Sequence, residues 1–127
     1  MTRPRDKEEI FLSVCRVLET KRLFLDENLS LDTLASEVMS NRTYVTKAIS
    51  MKSLSFAQLV NSMRARYAID YIMREDCRDV NLVEIAEESG FASVRTMNRY
   101  IKQSTGVSAC ALRYRLYGPG RTRAQPL

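Results

Sequence analysis

The sequence predicts an all-α fold of about seven helices that contains two helix-turn-helix units. Three observations lead there. Pro and Gly are scarce, three and four in 127 residues, and they cluster at the chain ends or at single punctuation points. Between them, apolar residues recur at helical spacing instead of alternating. Finally, residues 31–49 resemble residues 82–101, so one supersecondary unit occurs twice.

Each element follows from its local pattern. Ile10, Val14, Val17 and Leu18, with Phe11 beside them, share one face and predict a helix from Asp6 to Thr20. Asp6, Glu8 and Glu9 near its start, and Lys21 and Arg22 just past its end, suit the helix dipole. Ser30 or Leu31 opens a short helix through Val38, with Ser30 as N-cap, and Arg42–Met51 forms another. Ser55 caps the longest helix, where Phe56, Leu59, Val60, Met63, Tyr67 and Tyr71 repeat at helical spacing; Ala68, Ile69 and Ile72 widen the stripe. Residues 74–79 read as a polar connector. Asn81 caps a helix from Leu82 to Ser89, which Gly90 stops in the left-handed conformation. Ser93 caps a helix to about Ser104, closed by Gly106, and the last helix runs from Val107 or Ser108 to about Tyr117. The expected organisation is a first subdomain over 1–52, a linking helix over 53–74, a second subdomain over 75–117 and a disordered basic tail over 118–127.

Composition narrows the function. Apolar residues make up 45%, enough for a modest core, and the net charge is +5 with a pI near 9.3. A basic excess suits a polyanionic partner without proving one. There is no histidine, and Cys15, Cys77 and Cys110 are far apart, so a zinc site is not expected and the thiols read as reduced in a cytoplasmic protein. No signal peptide and no membrane-spanning run is visible. With no phosphate-cradling glycine loop and no histidine or Cys–His pair, the chain does not read as an enzyme, and no cofactor is expected.

The repeat carries the most information. LDTLASEVMSNRTYVTKAI (31–49) and LVEIAEESGFASVRTMNRYI (82–101) both place an apolar residue and Ala before acidic residues, a tight turn and a second helix with apolar anchors. Leu34-Ala35 matches Ile85-Ala86, Val45 matches Met97, and Ile49 matches Ile101, with one extra residue in the second turn. A helix-turn-helix needs a small residue where its helices approach and a polar, reachable outer face on its second helix. That face carries Arg42, Thr43, Thr46 and Lys47 in the first unit, and Arg95, Asn98, Arg99 and Lys102 in the second. Arg and Lys can donate to guanine, and Asn can pair with adenine.

These motifs, with FAQLVNSMRARYAIDYI between them and Lys-x-x-x-Gly-x-Ser after the second, resemble the AraC/XylS family of bacterial transcription activators over roughly residues 6–115. The resemblance implies two homeodomain-like helix-turn-helix subdomains joined by the long helix. Their recognition helices would enter successive major grooves about one helical turn apart, on the order of 34 Å. Matching the motif by position puts base-facing roles on Arg42, Thr43, Thr46 and Lys47, and on Val94, Arg95, Asn98 and Arg99; Lys102 is assigned to phosphate or water. Double-stranded DNA is the implied partner, RNA polymerase a candidate second one, and a membrane is not expected. The chain is expected to work as a monomer or to dimerise through a separate effector domain, either standing alone or, slightly favoured, as the C-terminal part of a larger regulator.

Some positions depart from the family pattern. Met39 stands where Gly is frequent, no Gly closes the first recognition helix, Met97 and Ile101 replace residues that are commonly Phe, Ala109 stands where Pro is usual, and Leu112 where an aromatic is usual. A Met at positive φ is strained, so the first turn is expected to differ. Charged helix faces are usually only solvated surface, and it is the repeated motif that favours DNA contact for Arg95 and Arg99, and less strongly for Arg42 and Lys47. Thr43 and Thr46 could equally cap or pack. Arg64 and Arg66 are expected to pair within the chain, with Asp70 or Glu87-Glu88, in preference to contacting phosphate, and Phe56, Tyr67, Tyr71 and Phe91 read as core. The alternative function is a degenerate helical module that binds a partner regulator or RNA polymerase.

Overall fold

The computed structural model describes residues 5–118; the tail expected from 118 onward, with Arg121 and Arg123, lies outside them beyond Gly118. Seven α-helices and no strand occur among the described residues: α1 Lys7–Thr20, α2 Leu31–Glu37, α3 Arg42–Ser50, α4 Phe56–Met73, α5 Leu82–Glu88, α6 Val94–Thr105 and α7 Ala109–Tyr117. Two short 3-10 turns, Leu23–Leu25 and Glu75–Cys77, occupy stretches that sequence periodicity leaves blank.

Every helix starts on a polar side chain that satisfies one of its orphan amides. Asp6 and Glu9 form a reciprocal capping box on α1 at 2.8 and 3.0 Å, and Ser55 and Gln58 do the same on α4 at 3.0 and 2.8 Å. Ser30, Asn41, Asn81, Ser93 and Ser108 accept from Thr33, Tyr44, Val83, Thr96 and Ala111. Each such cap contributes about 1 kcal/mol.

Two compact units result, Met1–Val60 and Asn61–Leu127, and their boundary falls inside α4. The first buries Ile10, Val14 and Leu18 of α1 against Leu34, Ala35 and Val38, and Val45, Ala48 and Ile49 of α3, with Phe24 of the 3-10 turn and Leu59 and Val60 completing it. The second gathers Ala65, Ala68 and Ile72 of α4, Ile85, Ala86, Phe91, Met97, Tyr100, Ile101 and Ala109. Tyr67 and Tyr71 are half-buried, their rings meeting edge to face at 6.4 Å. Arg64 is buried, and its Nη1 donates to Asn61 Oδ1 at 3.0 Å, one helical turn back. Arg66 is exposed.

The two turns share one backbone solution. In the first, the N–H of Met39 donates to Ser36 O (3.1 Å) and that of Ser40 to Ala35 O (2.9 Å). In the second, Gly90 donates to Glu87 O (3.1 Å) and Phe91 to Ala86 O (2.9 Å). Both are Schellman stops, in which the residue after the cap is left-handed. Met39 adopts φ +57° and Gly90 φ +88°. The expectation that methionine would change this turn is therefore corrected: its backbone follows the same path under strain. The recognition helices close differently: Gly106 caps α6 directly at φ +84°, whereas α3 ends on the right-handed Met51 and the chain turns left-handed only at Ser53, φ +61°. The last helix forms despite Ala109 and Leu112, with Ala109 buried and Leu112 packed against the core.

Candidate nucleic-acid interface

In the first unit α3 is the second helix of the motif. Val45, Ala48 and Ile49 face the core, which leaves Thr43, Thr46 and Lys47 exposed on the other side. Arg42 is exposed too, but at the edge nearer α2, where its Nη1 donates to Asp32 at 3.2 Å. Both partners are about two-thirds exposed, so this pair is weak and easily exchanged for a stronger anion. On the opposite flank Tyr44 and Met51 are exposed, and Met39 is 87% exposed. With Ile10, Arg5 and Glu8 they line an open groove of about 950 Å3. Arg5 also donates from Nη2 to the carbonyls of Val38 (2.6 Å) and Met39 (3.2 Å), placing a cation on the carbonyls that end α2.

In the second unit α6 buries Met97, Tyr100 and Ile101 and exposes Arg95, Arg99 and Lys102. Val94 is half-buried and packs against the core, so only part of its surface is available. Val94, Arg95, Thr96, Asn98, Arg99 and Lys102 line a shallow polar groove of about 700 Å3. Asn98 is half-buried, and its Oδ1 accepts the backbone N–H of Ala109 at 2.8 Å. Tyr100, which the sequence reading passed over, organises the neighbouring cation. The guanidinium of Arg99 lies 5.1 Å above its ring, with Nη2 3.4 Å from its hydroxyl. Tyr100 in turn stacks on Phe91 at 6.4 Å and 24°. The signal was an aromatic immediately after an outward arginine, at a position where the first unit has Ala48.

No group of three or more His, Cys, Asp or Glu is placed to hold a metal among the described residues. No helix among them is long and apolar enough to cross a membrane. What the two surfaces offer is a row of hydrogen-bond donors on the exposed face of a helix.

No family model matches the chain. Two curated relatives, the TCP pilus virulence regulatory protein from two Vibrio cholerae O1 strains, are 27% identical over 85 residues, covering 67% of this chain. The chain spans about 30% of their length. Three solved structures share the fold. A DNA-binding transcriptional dual regulator from Escherichia coli K-12 has a TM-score of 0.71 at 17% identity, covering 94% of this chain and 99% of its own. The C-terminal domain of AraT, a response regulator from Geobacillus stearothermophilus, scores 0.67 at 19% identity, covering 91% and 92%. The DNA-binding domain of the global transcription factor AdpA, solved with a target DNA, scores 0.63 at 23% identity, covering 91% and 99%.

Proposed function

We propose that this chain is the DNA-binding part of a transcription regulator of the AraC/XylS type, and that it reads duplex DNA through α3 and α6. The observation that carries the reading is the second unit's outer face. Arg95, Arg99 and Lys102 stand exposed on one side of a helix whose other side is packed, and Arg99 is held in place by Tyr100. A planar guanidinium held that way suits bidentate donation to guanine O6 and N7, worth about 1–3 kcal/mol of discrimination. Lys102 serves phosphate. In the first unit Thr43, Thr46 and Lys47 form a shorter, weaker reading face, and Arg42 leaves Asp32 for phosphate. Activation through RNA polymerase, dimerisation through an effector domain and a cytoplasmic location belong to the same reading.

A second reading has its own support. The groove beside α3, with Met39, Tyr44 and Met51 exposed, is apolar enough to hold a partner protein. Salt separates the two. Duplex binding that neutralises six or more phosphates weakens on the order of 10^3-fold between ~50 and ~200 mM salt, because condensed counterions are released. Titration of a labelled duplex across that range supports DNA binding if affinity falls so steeply. Binding that is absent at low salt, or insensitive to salt, overturns it in favour of the interaction module.

A further inference from the structure

The groove on α6 contains one polar side chain that is already committed. A backbone N–H can only donate, so the Asn98 atom 2.8 Å from the Ala109 nitrogen is the carbonyl oxygen. Ala109 is fully buried and is the first residue of α7, where its N–H has no partner within its own helix. Ser108 Oγ accepts from the amide three residues on, at Ala111. The corner between α6 and α7 is otherwise closed by Gly106 at φ +84° and by Thr105, whose Oγ1 donates to the carbonyls of Ile101 or Val107 and accepts from the Val107 N–H. Asn98 is the one side chain in this network that also lines the α6 groove.

Pairing an asparagine with adenine requires its oxygen to accept from N6 while its nitrogen donates to N7, both along the base edge. An oxygen that already accepts from the buried Ala109 amide is directed toward α7 with one lone pair spent, which works against its lying coplanar along that edge. We infer that Asn98 is a positioning residue: its carbonyl ties the first turn of α7 to the reading helix, and only its NH2 group is offered to DNA. The inference rests on the proposed reading of DNA and sharpens it, because it removes adenine recognition from a position where the residue type alone suggests it. The base preferences of the second unit are left to Arg95 and Arg99.

The test uses the full chain, Asn98→Ala, Ala109→Pro and the double variant. Proline is well accommodated at a first helical position and needs no acceptor, and Ser108 already has the extended backbone that precedes proline, φ −73° and ψ 167°. Ala109→Pro alone is therefore expected to keep the unfolding temperature within about 2 °C, while Asn98→Ala lowers it by about 4–6 °C. In the Ala109→Pro background the same Asn98→Ala change adds little. Equal drops in both backgrounds overturn the tie. The second readout is selection from a random duplex pool. Asn98→Ala is expected to weaken affinity several-fold with every column of the motif unchanged, whereas a column that loses adenine overturns the inference. No motif from the unmodified chain sinks the DNA reading, and with it any role of Asn98 on DNA; the unfolding cycle then still decides whether the tie exists.

Discussion

The two helix-turn-helix units stop their first helices on the same backbone turn with different residues. In the first compact unit, positive φ falls on the side-chain-bearing Arg22, Met39 and Ser53; in the second, it falls on Gly90, Gly106 and Gly118. A side chain at such a position costs about 1–2 kcal/mol that glycine does not incur. The residue after the first turn is Ser40, half-exposed, whereas its counterpart Phe91 is buried and stacked on Tyr100. The first turn is held instead from a distance, by Arg5 on the carbonyls of Val38 and Met39. The second unit has its own imperfections: Ser89 is fully buried where the first has Val38, its Oγ without a hydrogen-bond partner among the described residues, and Nε and Nη2 of Arg113 share that condition. Burial holds the Arg113 guanidinium below its ordinary pKa, with Asp79 opposing. One backbone can thus be held by local conformational fitness or by longer-range contacts, and the reading face follows suit: the braced Arg99 in one unit, the long and flexible Lys47 in the other.

The largest way to break this contrast is Phe91→Ala. It is expected to cost about 3–5 kcal/mol in denaturant unfolding and to release Arg99, whereas Ser40→Ala at the matching position changes stability by less than about 0.5 kcal/mol. Gly106→Ala comes next. A Cβ there meets nothing within 4 Å, so the expected loss of about 1–2 kcal/mol comes from the backbone alone. Met39→Gly runs the other way, with an expected gain of about 1 kcal/mol and slower amide exchange at the α2–α3 turn. Ser89→Ala removes the orphaned hydroxyl and is expected to gain somewhat less, about 0.5–1 kcal/mol, read as a shift of the urea midpoint. A destabilised Met39→Gly would show that the first turn carries no strain, and the contrast would fail there.

Most of the architecture was legible in advance, for a physical reason. Helix ends depend on residues a few positions apart, so Ser30, Ser55, Asn81 and Ser93 announced their helices and Gly90 and Gly106 their stops, while the caps Asn41 and Ser108 emerged only in the structure. The repeat exposed the outer faces of α3 and α6 because burial follows helical spacing. What stayed hidden depends on residues brought together by folding. Arg5 reaches Val38 and Met39 across more than thirty positions. The bond from Ala109 to Asn98 spans eleven, and it shows that an outward asparagine can be structural. Leu23–Leu25 was missed because three residues are too few to show a period. The burial of Arg64 was also hidden, because an arginine's buried stem cannot be read from its neighbours in sequence.

The central claim is that two unequal units read one duplex. Selection of binding sites from a random duplex pool at about 150 mM salt tests it most directly, run on the chain, on Arg99→Ala and on Lys47→Ala. A motif of two separated blocks is expected. Arg99→Ala relaxes preference within one block, by about 1–3 kcal/mol at a single position, while Lys47→Ala weakens binding more evenly and lowers the salt slope by about 1. No enrichment over the starting pool, or a motif that both variants leave intact, would contradict it.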